Sequence, residues 1–90
     1  MEHLKKSDQI EKKVNEACIV TEFPTQNPEI NLAKAAIEGR YPQEGFAYNE
    51  QCVELAYCIK GGGKLITPFK VHEIQQGDAV MISRQERYYW

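Results

Sequence analysis

Residues 48–59 alternate in character. Val53, Leu55, Tyr57 and Ile59 fall on one side of an extended backbone, and Tyr48, Glu50, Cys52, Glu54, Ala56 and Cys58 fall on the other, the period of two that a strand produces. One side is bulky and apolar, and the other carries every group with chemistry. Gly61, Gly62 and Gly63 cannot propagate a strand without loss and predict a hairpin turn, after which residues 64–67 return and Pro68 ends the strand. Residues 71–74 read as a brief strand, 75–78 as a tight turn around Gly77-Asp78, 79–82 as a further strand, 83–86 as a polar loop and 87–90 as the start of a last strand. Short strands at this spacing predict an all-β sandwich or barrel.

The first part of the chain is less patterned. Residues 1–16 hold only Leu4, Ile10 and Val14 as large apolar side chains, and Asp8 followed by Glu11 matches a capping box. This segment is expected to be a polar tail or a short helix, leaving residues 17–90 as the folded domain. Residues 17–23 are rich in branched and aromatic side chains and end at Pro24, which predicts an edge strand. Residues 29–38 support two readings. Asn27 as cap, Pro28 at the first helical position, three alanines and a terminating Gly39 favour a helix, whereas the all-β context favours a strand. Residues 39–45 are punctuated as a loop.

Ninety residues allow one domain with a modest core. Eleven Lys and Arg against thirteen Asp and Glu give a formal charge of -2 with no basic stripe, so a nucleic-acid partner is not expected. No apolar run approaches the roughly 20 residues of a membrane span, and the N-terminal residues lack the apolar block of a secretion signal. The expectation is a cytoplasmic protein. Cys52 and Cys58 on one strand would lie about 20 Å apart, too far for a disulfide or a shared metal, so the three cysteines read as reduced thiols.

Residues 40–90 resemble a small single-domain cupin, a family built on a double-stranded β-helix, or jelly roll. Glu54 and Gly61, separated by six residues, match the end of the first cupin motif, and Gly77-Asp78 followed by the apolar 79–82 matches the opening of the second. The resemblance implies an all-β jelly roll, a pocket between the strands and pairing of two copies through the Val53, Leu55, Tyr57 and Ile59 side. Relatives of this type continue past the Tyr88-Tyr89-Trp90 position, so the resemblance also implies a truncated C-terminus that leaves these aromatics on an unprotected strand.

The metal ligands of the family are largely missing. The two histidine slots of the first motif hold Tyr48 and Glu50; in the second motif the proline slot holds Ser83, the glycine slot Gln85 and the histidine slot Tyr88. A phenol that titrates near pH 10 is a poor ligand for the borderline divalent metals that imidazoles bind. The pocket residues expected from this reading are Tyr48, Glu50, Glu54 and Tyr88, with no metal and no cofactor. They would hold a small polar ligand such as a sugar or an organic acid. The alternatives are a cupin enzyme using non-standard metal ligands or an acid/base pair, and a degenerate dimerisation module. His72 and His3 lie outside both histidine slots.

Overall fold

A computed structural model describes residues 1–90, which divide into two compact units, Met1–Gly39 and Arg40–Trp90. Both are antiparallel β structure, and the chain contains no α-helix. The division expected after residue 16 falls instead within the turn between the first two strands, because residues 10–15 are themselves paired.

In the first unit, β1 (Ile10–Asn15), β2 (Cys18–Phe23) and β3 (Leu32–Ile37) form a sheet in sequence order. The expected tail or helix over residues 1–16 is thereby corrected to a single 3-10 turn, Lys6–Asp8, followed by a strand. Asp8 does cap, but over the 3-10 turn, where its carboxylate accepts the Lys5 N–H at 2.9 Å. Ile10, Val14 and Ala17 make too thin a stripe to hold a helix that must find its own docking surface, and β-branched Ile10 and Val14 suit the ladder with β2. Asn15 bends the chain into β2 by accepting the Ala17 N–H at 2.7 Å, and the register slips between Lys13 and Asn15.

Residues 17–23 were expected at an edge; with β1 present, β2 is the central strand. The ambiguity over residues 29–38 resolves to a strand. Six consecutive pairs run from Cys18 opposite Ile37 to Phe23 opposite Leu32, and this ladder outweighs the helical preference of Ala33, Ala35 and Ala36. The intervening loop is tied down at the chain start, where the Glu2 carboxylate accepts from the Thr25 hydroxyl and, at 3.1 Å, from the Gln26 N–H. Only Cys18 and Thr21 of this unit are buried.

The second unit holds β4 (Glu54–Tyr57), β5 (Gly62–Ile66), β6 (Val71–Gln75) and β7 (Ala79–Ile82). Its pairings are nested. Ala47 bridges Tyr88, β4 pairs with β7, Cys58 exchanges backbone hydrogen bonds with Gly77 and Asp78 at 2.9 Å, and β5 pairs with β6. The unit is therefore one long hairpin with its tip at residues 67–70. The hairpin is also folded over, since Ile66 near the tip bridges Tyr89 near the base. Antiparallel β architecture is what the alternation predicted. The two ladders remain separate two-stranded sheets joined by bridges, and no closed barrel forms.

Several expectations change here. The long strand over 48–59 is shortened to Glu54–Tyr57, with only a bridge at Ala47 before it. Gly61, Gly62 and Gly63 do not turn a hairpin, because β4 and β5 do not pair with each other. Gly61, with φ of 78°, bends the chain from one ladder to the next, and Gly62 begins β5. A Cβ on Gly62 would meet the Ile74 carbonyl oxygen at 2.8 Å, so the close approach of β6 requires glycine there.

The terminal aromatics are packed. Tyr88 is 7% exposed and forms the core with Leu65 and Ile82, against which Ala47, Ile74, Val80 and Trp90 pack. Trp90 exchanges two 2.8 Å backbone hydrogen bonds with Tyr41. Arg40 lies 3.9 Å over the Tyr89 ring and donates to the Gln43 and Gly45 carbonyls at 2.7 Å, which closes the 40–45 loop over that ring. The expected unprotected aromatic strand is thus covered within the unit, because residues 88 and 89 bridge Ala47 and Ile66.

Candidate functional site

Parity holds where β4 is regular. Glu54 and Ala56 are half-buried and stand opposite Ile82 and Val80 of β7, whereas Leu55, Tyr57 and, across the ladder, Met81 face outward. Cross-strand partners in an antiparallel pair share a face. Glu54 is consequently held on the core side of the sheet beside Ile82, and Tyr88 reaches the same region through the Ala47 bridge.

Burial governs the electrostatics of this pair. It pushes the Glu54 carboxyl above the usual carboxylate range, while the Tyr88 hydroxyl beside it acts in the opposite direction. The Tyr88 phenol is pushed up to about 12, first by burial and then by the Glu54 charge; the Asn49 amide opposes this and the Tyr41 phenol adds to it. Four polar side chains, Glu54, Tyr88, Asn49 and Tyr41, therefore share one interior neighbourhood. The Asn49 amide lies against the Tyr88 phenol, though its buried Nδ2 makes no hydrogen bond of ordinary geometry.

Tyr48 and Glu50 are placed differently. With no strand over residues 48–53, the alternation that would have turned them inward is lost, and both are exposed. The Tyr48 hydroxyl lies 3.5 Å from a Glu50 carboxylate oxygen. Together with Gln51, Gln85 and Arg87 they line an open groove of about 540 Å³, within the size range of small-molecule sites. The two sides of this groove are tied together by the Gln85 N–H, which donates to the Asn49 carbonyl at 2.7 Å. Gln85 itself has φ of 62°, left-handed backbone that is uncommon outside glycine. A turn closed by the Ser83 N–H donating to Glu86 at 3.0 Å holds it there.

No protein-family model, curated protein or solved structure matches this chain.

The four expected residues thus fall into two sets, Glu54 with Tyr88 inside and Tyr48 with Glu50 on the groove; Asn49, between Tyr48 and Glu50 in sequence, acts on Tyr88 through its side chain and accepts from the Gln85 N–H through its carbonyl. No three side chains among His, Cys, Asp and Glu come together anywhere in the chain. The sequence reading missed Asn49, Gln51, Gln85, Arg87 and Tyr41. Gln85 occupies the glycine slot of the resembling second motif, and its left-handed backbone is the feature that slot signals. Arg87 and Asn49 become informative only once the Ala47 bridge to Tyr88 sets the two segments side by side.

Proposed function

We propose that residues 40–90 form a cupin-like jelly roll that binds a small polar molecule, a sugar or an organic acid, without a resident metal. Two features of the backbone support the fold reading. A jelly roll is a long antiparallel hairpin rolled over on itself, and the nested pairings with the Ile66 to Tyr89 bridge follow that plan. The glycine positions of the resembling motifs, Gly61, Gly77 and the slot now held by Gln85, all have positive φ.

The observation that carries the binding reading is the open groove lined by Tyr48, Glu50, Gln51, Gln85 and Arg87, in the same unit as the buried Glu54–Tyr88 pair. Arg87 would engage a carboxylate, Glu50 would accept from a hydroxyl, and the Tyr48 ring offers a flat face to a sugar. In this reading a second copy of the chain is the protein partner, and three free cysteines suit a reducing cytoplasm. No helix is long and apolar enough to cross a membrane.

Amide chemical shifts recorded while a panel of monosaccharides and small carboxylic acids is titrated in test the reading. At least one compound is expected to move Asn49, Gln85, Arg87 and Tyr88 together and to lose that effect in Arg87→Ala. A panel that moves none of these amides, or moves only residues of the first unit, overturns it.

A further inference from the structure

The three-stranded sheet of the first unit has two edges, and they are not alike. At one edge, β1 carries Glu11, Lys12 and Lys13, and its ladder is broken by the register slip before Asn15. Charge and irregularity are the devices that stop an edge from pairing with another strand. At the other edge, β3 reads Leu32-Ala33-Lys34-Ala35-Ala36-Ile37, with one charge, no proline and no slip over six paired residues. Its first five residues are exposed and no strand lies beyond it. The β1 edge is the more heavily guarded, and β3 carries only Lys34.

The hydrogen-bond pattern shows which groups are left over. The Glu38 N–H donates to the Ala17 carbonyl at 2.8 Å, so Glu38 points its backbone toward β2. Antiparallel bonding alternates along a strand; Ala36, Lys34 and Leu32 therefore also point toward β2, and the N–H and C=O groups of Ala33, Ala35 and Ile37 point out from the free edge.

We propose that this edge pairs antiparallel with the same edge of a second copy, about a two-fold axis at Ala35, giving one six-stranded sheet. This gives the homodimer a location and is independent of the ligand reading. A two-fold perpendicular to the sheet preserves faces, so the strand must cross its copy residue on residue, and the two crossings that keep most of the strand paired are at Lys34 and Ala35. Crossing at Lys34 sets two ammonium groups directly opposite each other, which is unfavourable. Crossing at Ala35 sets Lys34 against Ala36, Ala33 against Ile37 and Ala35 against Ala35, and these last two kinds of pair are the ones whose outward backbone groups are free to bond. Either crossing sets outward-pointing residues opposite one another, so hydrogen bonds can form in both, and the Lys34 charge is what selects the crossing at Ala35. The small side chains of Ala33, Ala35 and Ala36 leave the approach unobstructed. A six-residue strand contact is smaller than a standard interface, so the association is weak and depends on concentration.

Sedimentation of the full chain from about 1 μM to about 1 mM, a span covering weak association, together with amide hydrogen exchange, tests this. Wild type should dimerise as concentration rises, with protection appearing at the amides of Ala33, Ala35 and Ile37. Ala35→Lys and Ala35→Glu should each weaken the dimer by roughly fivefold or more, because each sets like charges across the axis, and an equimolar mixture of the two should restore it. Leu55→Asp, on the uncovered face of β4, should leave it unchanged. A chain that stays monomeric throughout, a dimer indifferent to both Ala35 variants, a mixture that fails to recover, or a dimer lost only in Leu55→Asp overturns the proposal. The wild-type exchange data decide the matter even if a variant misfolds.

Discussion

The two units spend their residues in opposite ways. The first has the longer strands and the longest ladder, six consecutive pairs between β2 and β3, yet buries only Cys18 and Thr21. The second has shorter strands and two separate ladders, yet assembles a core of Leu65, Ile82 and Tyr88 and an interior polar group beside it. Hydrogen-bonded regularity and burial are thus distinct sources of order. A ladder satisfies backbone groups that water would also satisfy, so its net contribution is modest, whereas removing apolar surface from water is the dominant favourable term. Folding the second hairpin over on itself creates an inside. The three-stranded meander of the first unit buries only two residues.

Substitutions should separate the two regimes, the largest effect coming from the core. Ile82→Ala empties a site that is 2% exposed and should cost about 2 to 5 kcal/mol in chemical denaturation followed by Trp90 fluorescence. The same readout suits the second unit because Trp90 is the only tryptophan and packs edge-on to Tyr88 at 6.3 Å between ring centres. Gly62→Ala should follow, at about 1 to 3 kcal/mol, because its new methyl meets backbone at the Ile74 carbonyl and one of the two strands must move. Gln85→Gly should run the other way, raising stability by up to about 1 kcal/mol as left-handed strain is relieved. In the first unit Leu32→Ala, at a side chain 63% exposed, should change stability by no more than about 0.5 kcal/mol when followed by circular dichroism of the dilute monomer. A loss at Leu32 comparable to that at Ile82 would erase the contrast between the units.

The same contrast explains what could be read in advance. The inward placement of Glu54 and the outward placement of Leu55 and Tyr57 follow from the period of two and needed no partner strand. The strand at 32–37 was ambiguous because its alanines favour helix while its ladder with β2 is a long-range fact. β1 was illegible for a related reason: Lys12, Lys13 and Glu11 look like a solvated tail until Val20, Ile19 and Thr21 stand opposite them. The fate of Tyr48 and Glu50 depended on how far the strand extends, and alternation continues in sequence past the point where pairing stops. The packing of Tyr88, Tyr89 and Trp90 could not be foreseen from their composition, since the bridges to Ala47 and Ile66 bring residues 41 and 23 positions away onto the same segment.

Glu54 and Tyr88 lie beside each other inside the second unit. Because the folded carboxyl titrates above its usual 4.5, its contribution to stability is fully present below that pH and is lost as pH rises through the folded value. Glu54→Gln should therefore flatten the stability profile on that side. Likewise, Tyr88 should lose stability only as pH climbs from 10 toward about 12. The direct measurement is a carbon-detected NMR titration of the Glu54 carboxyl in wild type and in Tyr88→Phe. The predicted result is a value above the ordinary glutamate range that rises further once the Tyr88 hydroxyl is removed. A Glu54 that titrates as a free glutamate does and ignores the loss of that hydroxyl would contradict the account.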